Sequence, residues 1–384
     1  MAEALMAPAS LAPAPGVPGE ECRINALPKD VLLRALSHLD TLEVVQTCVL
    51  SRQWRDLWRS VPSISATHKA FDVMEDTAEE YVTLFKAFVN RFLMLRNPIA
   101  LDEFNLGYYV HDDDGYESMD YDAESEDANL WIGHALQCNA RSIHVSVDCG
   151  RLYLDSSVFT SNFLNSLKLS SVALFHGFFA NLQRDCTVLE RLRLSNCYIE
   201  DVEICSQTLK VFTIDSLCDF QCFERATISI PSLVHLRYYL SKPIPLLLPN
   251  MESLKTASVS VHDTTDIPVD DICQVASNVQ WCPKFNNLTI LRLGELCLYG
   301  DFYALIVFLQ NSPNLVKLTL KLRKRPGTDT AFRGDLKERS FTCEHLRIVK
   351  IICSEESKAG AMFNNLQNLL TENGITPGQI DIIR

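Results

Sequence analysis

A short spacing of apolar residues recurs along most of the chain: one apolar residue, a second three positions later and a third two positions after that. The copy LERLRLSNCYI at residues 189–199 shows it most clearly, with Leu189, Leu192 and Leu194. Further copies begin at residues 101, 140, 164, 209, 233, 254, 288, 315 and 346. Because residues two apart lie on the same face of a strand, each copy predicts a short strand with one buried face.

Stacking of these strands predicts an α/β fold built by repetition. One strand cannot bury its apolar face alone, so neighbouring copies must pack side by side. We therefore expect a parallel β-sheet along a curved, irregular solenoid over residues 99–340. Helical or irregular segments are expected to return the chain between strands, notably at residues 127–139, 271–282 and 301–314.

Ahead of the repeats, apolar residues at helical steps predict three short helices within residues 22–66. The first begins at Pro28, since proline suits the first turn of a helix. A short second helix follows Asp40, and a third is predicted over residues 50–61, where Pro62 ends it. The apolar stripe of this third helix is Leu50, Trp54, Leu57, Trp58 and Val61.

Three helices of this length are too small to cover all of their own apolar side chains. Leu32 and Leu33 are adjacent, for example, so they cannot share one helix face. Trp54 and Trp58 supply large apolar area to such a unit, either within its core or at an interface with another protein. An exposed apolar ridge of this kind usually marks a protein interface.

The remaining segments have simpler patterns. Residues 1–21 are rich in Ala and Pro, with no periodic apolar face and no basic region typical of a secretory signal, so we expect an unfolded tail. Residues 67–98 are predicted to form a connecting helix, which the Asn97–Pro98 pair ends. The stretch at 111–127 holds nine carboxylates, and its spacing favours a solvent-exposed acidic loop over a calcium site.

Composition narrows the classes of function. The net charge of −13 disfavours binding to the phosphate backbone of nucleic acids, and no apolar run reaches the length of a membrane-spanning helix. The 14 cysteines lack any C-x-x-C pair, which favours thiols in a reducing compartment, hence the cytoplasm, the nucleus or both. We predict no cofactor, no metal site and no catalytic residue, since no nucleophile, phosphate-binding or zinc motif occurs. The basic run KLRKRP at 321–326 indicates a nuclear import signal, a patch for an acidic substrate or an ordinary solvated loop.

Residues Ile24 to Ile64 resemble the F-box of plant F-box proteins with leucine-rich repeats, and residues 341–384 resemble the FBD region that often follows such repeats. The first resemblance covers the Leu27–Pro28 start, the Val31–Leu32 pair and the ordered apolar positions through Val61–Pro62. It departs from the family at Lys29, Leu36, Asp40 and Gln53. The resemblance implies docking on a Skp-family adaptor through Leu27, Pro28, Val31, Leu32, Leu36, Leu39, Val44, Val45, Leu50, Trp54, Leu57 and Trp58.

Through that adaptor the resemblance implies a cullin and an SCF-type ubiquitin ligase, with this chain as its non-catalytic substrate receptor. The fold that it implies is a three-helix F-box followed by an irregular leucine-rich-repeat solenoid. The repeats would then bind a target protein, whose identity the sequence does not reveal. The alternative is a repeat-based scaffold that acts without ubiquitin ligation.

Overall fold

A computed structural model describes residues 24, 26–71, 78–110, 121–215, 218–220, 226–240, 246–261, 283–294, 302–322, 340–353 and 361–383. Its α-helices are α1 (Lys29–Leu36), α2 (Thr41–Gln46), α3 (Ala78–Leu95), α4 (Tyr121–Gln137), α5 (Phe178–Asp185), α6 (Tyr303–Gln310) and α7 (Ala361–Glu372). Short 3-10 turns occur at Thr47–Val49, Leu57–Ser60, His68–Ala70, Ser156–Val158 and Pro377–Gln379.

One twelve-stranded sheet organises the fold. Its strands are β1 (Ser63–Thr67), β2 (Glu103–Tyr109), β3 (Ser142–Asp148), β5 (Ser166–Ser170), β7 (Arg191–Ser195), β10 (Val211–Asp215), β13 (His235–Leu240), β15 (Thr256–Val261), β16 (Ile290–Leu293), β17 (Lys317–Leu322), β18 (Ile348–Cys353) and β19 (Ile380–Ile383). They lie side by side in chain order, and every neighbouring pair is parallel. The mixed α/β class and the parallel sheet predicted from the sequence are therefore confirmed.

The apolar spacing maps onto this sheet copy by copy. Each of the ten copies lies on one strand from β2 to β18, and equivalent positions are paired: Leu167 lies beside Leu192, and Leu192 beside Phe212. The first residue of each copy, such as Leu189, is also buried. The inner side of the sheet is thus a series of apolar rows, as the alternation predicts.

An eleventh copy lies inside the segment predicted to be purely helical. Val61, Ile64 and Ala66 have the same spacing and are all buried, and β1 pairs with β2 along Ser63–Thr67. Sequence reasoning missed this copy because Val61 also fitted the end of a helical stripe. The sheet therefore begins within the N-terminal helical unit.

Short strands outside the main sheet were also not predicted. Strands β4 (Leu152–Tyr153), β6 (Val172–Leu174), β8 (Tyr198–Ile199) and β11 (Asp219–Phe220) form a four-stranded sheet, and β9 (Glu203–Cys205), β12 (Ala226–Ser229) and β14 (Leu246–Leu247) form a three-stranded one. Ser171 and Asn196 adopt left-handed backbone conformations between β5 and β6 and between β7 and β8. Asn tolerates this conformation well, and it turns the chain sharply from one sheet to the next.

The helices cover the apolar side of the main sheet. Trp131 of α4 is fully buried, its ring lies edge-on to Phe85 of α3 with centroids 5.8 Å apart, and its indole nitrogen donates to Asn90 Oδ1 at 2.7 Å. Helix α3 lies within the range 67–98 predicted for the connecting helix, and the predicted returns at 127–139 and 301–314 overlap α4 and α6. The predicted return at 271–282 and the tail at 1–21 lie outside the described residues.

The third helix predicted over residues 50–61 was wrong. This segment forms turns followed by the 3-10 stretch Leu57–Ser60. The amide of Trp54 donates to the Ser51 carbonyl and that of Leu57 to the Trp54 carbonyl, at 3.1 and 3.2 Å. Bonds that span three residues place Trp54 and Leu57 on the same side, so a 3-10 geometry buries them as well as an α-helix would.

The acidic loop predicted over residues 111–127 was wrong for its last seven residues. Residues 121–127 form the first two turns of α4, whereas 111–120 lie outside the described residues. Carboxylates are stabilised near a helix N-terminus by the helix dipole, and Asp127 forms an ion pair with Lys86 of α3 at 3.2 Å. At the other end of the chain, residues 341–384 contain β18, α7 and β19 in that order.

Replacement of Leu192 by Ala tests the buried row. Leu192 is 1% exposed on β7, so Leu192→Ala leaves a cavity and should lower the free energy of unfolding by about 2–5 kcal/mol. Equilibrium denaturation followed by circular dichroism measures the loss. Val188→Ala is the matched control: Val188 is 40% exposed, so its change should stay within about 0.5 kcal/mol. Equal losses in the two variants would contradict the burial assigned to the row.

Candidate functional site

Residues 24–65 contain two separate groups of apolar side chains. The first group is a small core, each member of which is 5% exposed or less: Leu32, Leu36, Val44, Trp54, Leu57 and Val61. It brings α1, α2 and the turns after them into contact. Its members recur at helical spacing along α1 and at three-residue spacing in the turns. Each segment therefore presents its apolar side chains on one side, and these sides pack against each other.

The second group faces solvent. It comprises Ile24, Leu27, Val31, Leu39, Val49 and Leu50, of which Val49 is 83% exposed and Leu50 is 65% exposed. Among the described residues, no other stretch of similar length leaves so many large apolar side chains exposed. Such a concentration is typical of a surface that another protein covers.

Of the twelve residues predicted to contact an adaptor, five are in the small core, five are exposed and two are half-buried. Leu32, Leu36, Val44, Trp54 and Leu57 are in the small core. The exposed members are Leu27, Pro28, Val31, Leu39 and Leu50, while Val45 and Trp58 are half-buried against the main core. Contact of any of the twelve with an adaptor stays a prediction, but in this conformation the five small-core members are buried and not accessible.

Val49 and Ile24 are exposed apolar residues that the predicted site omitted. The strongest signal for Val49 is its position directly before Leu50. Two adjacent apolar residues cannot both point into so small a core, and here both point outward. The 3-10 turn Thr47–Val49 places them there at the end of α2.

Asp40 fixes the start of α2 and ties it to the sheet. Its Oδ1 accepts a hydrogen bond from the Leu42 amide and Glu43 Oε2 accepts one from the Asp40 amide, both at 3.0 Å, which completes a capping box. Its Oδ2 accepts from the Thr67 hydroxyl of β1 at 3.0 Å. Burial raises the pKa of this carboxyl, while the bonds from Leu42 and Thr67 oppose that shift.

A second set of hydrogen bonds holds the helical unit against the repeats. Thr41 Oγ1 accepts from the Ser65 amide at 2.9 Å. The Asn97 amide, just after α3, donates to the Arg59 carbonyl at 2.9 Å, and the Asp102 amide donates to the Pro62 carbonyl at 2.8 Å. The unit is therefore anchored to β1, to α3 and to the chain entering β2.

Trp58 joins the small core to the main core. Its ring lies 5.5 Å from that of Phe92 on α3, and the Arg59 guanidinium lies 5.2 Å from its centre. Nearby, the buried Arg96 donates from Nη2 to the Val61 carbonyl at 3.2 Å. Loss of water around Arg96 lowers the pKa of its guanidinium. Both large side chains thus serve the contact between the helical unit and α3.

The part of the chain that the structure describes contains no group of three or more His, Cys, Asp or Glu side chains arranged to hold a metal ion. Nor does any described helix have both the length and the apolar character needed to cross a bilayer. Cys218 is buried beside Cys197, whose amide donates to the Cys218 sulfur at 3.4 Å. The distinctive surface of the N-terminal unit is therefore its exposed apolar group.

Comparison with known proteins matches residues 24–65 to the F-box domain family. Residues 24–65 are an F-box domain. F-box/LRR-repeat protein 13 of Arabidopsis thaliana is 27% identical over 358 residues, which cover 78% of this chain and 76% of that protein. An FBD-associated F-box protein of the same plant is 25% identical over an alignment of 400 residues in length. That alignment covers 88% of this chain and 84% of the relative.

A third relative, an F-box/FBD/LRR-repeat protein of Arabidopsis thaliana, is 25% identical over 366 residues, or 77% of this chain and 76% of that protein. The similarity thus covers more than three quarters of this chain in each of the three relatives. F-box domains generally bind Skp-family adaptors, and F-box proteins with leucine-rich repeats are typically non-catalytic substrate adaptors.

Substitution of Asp40 tests how the F-box domain is held together. Asp40→Ala removes the cap of α2 and the acceptor for Thr67, so the free energy of unfolding should fall by about 0.5–2 kcal/mol. Asp40→Asn keeps an oxygen that can cap α2 and should lose much less. Chemical denaturation of the three proteins measures both effects. An Asn variant as unstable as the Ala variant would show that capping is not what Asp40 contributes.

Proposed function

We propose that the chain is the substrate-recognition subunit of an SCF-type ubiquitin ligase. In this proposal the F-box domain docks on a Skp-family adaptor and through it on a cullin, while the sheet region binds a target protein. The observation that carries the proposal is the exposed apolar group of Ile24, Leu27, Val31, Leu39, Val49 and Leu50 on a matched F-box domain.

The division of the F-box residues supports this role. The small core holds α1, α2 and the following turns in a fixed arrangement without any of the exposed side chains. The exposed group is thus available for a partner and is presented on a prefolded surface, which lowers the entropy cost of association. Val49 and Leu50 are its most exposed large members, so we place them at the centre of the proposed contact.

We further propose that the twelve-stranded sheet is a leucine-rich-repeat solenoid. Eleven copies of one apolar spacing lie on eleven successive parallel strands, and the relatives are named for such repeats. Each strand contributes an inward apolar face and an outward face, and the outward faces together are mostly polar. The outward face is continuous over many strands and is large enough to hold a target protein.

In this assembly the chain contributes proximity and not chemistry. Ubiquitin transfer belongs to partners that the adaptor and cullin bring near the bound target. A receptor acts by converting an encounter between target and ubiquitin carrier into a reaction within one complex. We place the protein in the cytoplasm, the nucleus or both, where such complexes work.

Charge insertion at Leu50 tests the proposed docking surface. Leu50→Asp places a carboxylate where the proposal puts an apolar contact, and should weaken binding to a purified Skp-family adaptor roughly thirtyfold or more. Leu130→Asp on α4 is the matched control, because Leu130 and Leu50 are both 65% exposed. Titration calorimetry of full-length proteins gives the affinities. Unchanged affinity for the Leu50 variant, or equal losses in both, would refute this surface.

Co-purification from plant cells tests the ligase role separately. The tagged wild-type chain should bring down both a Skp-family adaptor and a cullin, and the Leu50→Asp variant should lose both together, because the cullin is held through the adaptor. Blocking the proteasome should enrich additional proteins with the wild type. Recovery of the adaptor without any cullin would favour a scaffold that acts without ubiquitin ligation.

A further inference from the structure

The outward face of the twelve-stranded sheet carries a row of basic side chains in one register. Strand pairing aligns the following residues across ten strands from β3 to β19: His144, Lys168, Arg193, Thr213, Arg237, Ser258, Arg292, Thr319, Lys350 and Asp381. Five of these ten carry a full positive charge. We call this set the basic row.

The row is unusual for this chain, whose net charge is −13. Lys168, Arg193, Arg237 and Arg292 are all exposed, on strands whose inward neighbours are buried leucines and other apolar residues. Their alignment concentrates positive potential along one line of an acidic protein.

At the centre of the row, a buried carboxylate positions two arginines. Asp215 on β10 is 8% exposed and forms ion pairs with Arg193 on one side and with Arg237 Nε, at 3.3 Å, on the other. One negative charge is thus shared by two guanidinium groups, so this trio keeps a net positive charge. Because Asp215 already fixes their positions, the two guanidinium groups lose little conformational freedom when their remaining N–H groups donate to the carboxylate of a ligand.

The other positive charges of the row have fewer carboxylates close to them. Among the described residues, Lys168 and Arg292 have no carboxylate within the 4.0 Å limit of an ion pair, whereas Lys350 has Asp381 at 3.6 Å. Burial lowers the pKa of the His144 imidazole at the start of the row, and the positive charges of Lys168 and Arg193 lower it further, while the Glu103 carboxylate opposes them. The imidazole thus lies in the positive potential of the row.

Spacing fits an extended chain laid across the strands. Neighbouring strands are about 4.8 Å apart, so Lys168 on β5 and Lys350 on β18 are separated by about 34 Å, the length of roughly ten residues of extended peptide. Thr213, Ser258 and Thr319 lie between the charges and offer hydroxyl groups to a peptide backbone. The overall charge of −13 opposes the long runs of phosphate in nucleic acids.

We propose that the basic row is the target-binding surface and that it recognises an extended acidic segment of the partner protein. This inference rests on the proposed receptor function and adds the chemistry of the target. Alternating carboxylates of the segment pair with Lys168, the Arg193–Arg237 pair, Arg292 and Lys350. The row lies on strands and not on loops, so its charges keep a fixed spacing.

A fluorescein-labelled peptide of five Glu-Ser repeats is the direct probe, with a Gln-Ser peptide of the same length as its uncharged counterpart. The full-length protein should bind the acidic peptide at low ionic strength, more weakly as salt increases, and should not bind the Gln-Ser peptide. Fluorescence anisotropy measures both. Equal binding of the two peptides, or none of the acidic one, would overturn the proposal, as would tighter binding of a ten-residue oligo-dT.

Matched charge removal locates the contact. The double variant Lys168→Gln, Arg292→Gln should weaken acidic-peptide binding roughly fivefold or more. The double variant Arg52→Gln, Arg184→Gln changes the net charge equally but lies off the row, in the F-box domain and on α5, and should leave binding unchanged. Equal weakening by both variants would show that only overall charge matters and would overturn the proposal.

Adaptor binding of the same proteins separates this inference from the proposed function. The Lys168, Arg292 variant should bind the Skp-family adaptor as the wild type does, and the Leu50→Asp variant should bind the acidic peptide normally. Loss of peptide binding by the Leu50 variant would contradict the placement of the target surface on the sheet. Normal adaptor binding without any peptide binding would overturn the basic row alone.

Discussion

The parallel pairing of β1 with β2 is the constraint on which the arrangement of this molecule depends. Residues 61–66 supply the last part of the F-box core through Val61 and the first inward positions of the sheet through Ile64 and Ala66. Because one short segment serves both units, the F-box domain and the sheet cannot be separated by a flexible linker. Their relative orientation is set by backbone hydrogen bonds and by the bonds from Ser65 and Thr67 to Thr41 and Asp40.

The two-residue period of a strand gives the sheet two different faces. Inward positions are apolar and stack into a core with the helices, which stabilises the fold through burial. Outward positions are free of that requirement, so they can carry any polar pattern without cost to the core. In this chain they carry the aligned basic side chains, which is why a function for that face can be proposed independently of the fold.

A similar separation holds in the F-box domain. Its buried group keeps the domain folded, and its exposed group is left for a partner. Trp58 lies between the small core of the F-box domain and the main core, since it contacts the first and Phe92 of α3 in the second. A change at a buried position such as Leu32 would alter both folding and docking, whereas a change at Leu50 addresses the surface alone.

The sequence by itself determined the repeating strands, the α/β class, the connecting helix and the location of the F-box domain. These features follow from local periodicity and from burial, and the spacing of residues such as Leu189, Leu192 and Leu194 indicates both. Only the tertiary structure decided which apolar residues of the F-box domain are exposed, because Leu50 and Trp54 look alike in a periodic pattern and differ in the neighbours that cover them. It also decided that the sheet begins at Ser63, within the F-box domain, and that charges 25 to 58 residues apart in sequence form one row, since strand register is fixed by pairing between distant segments.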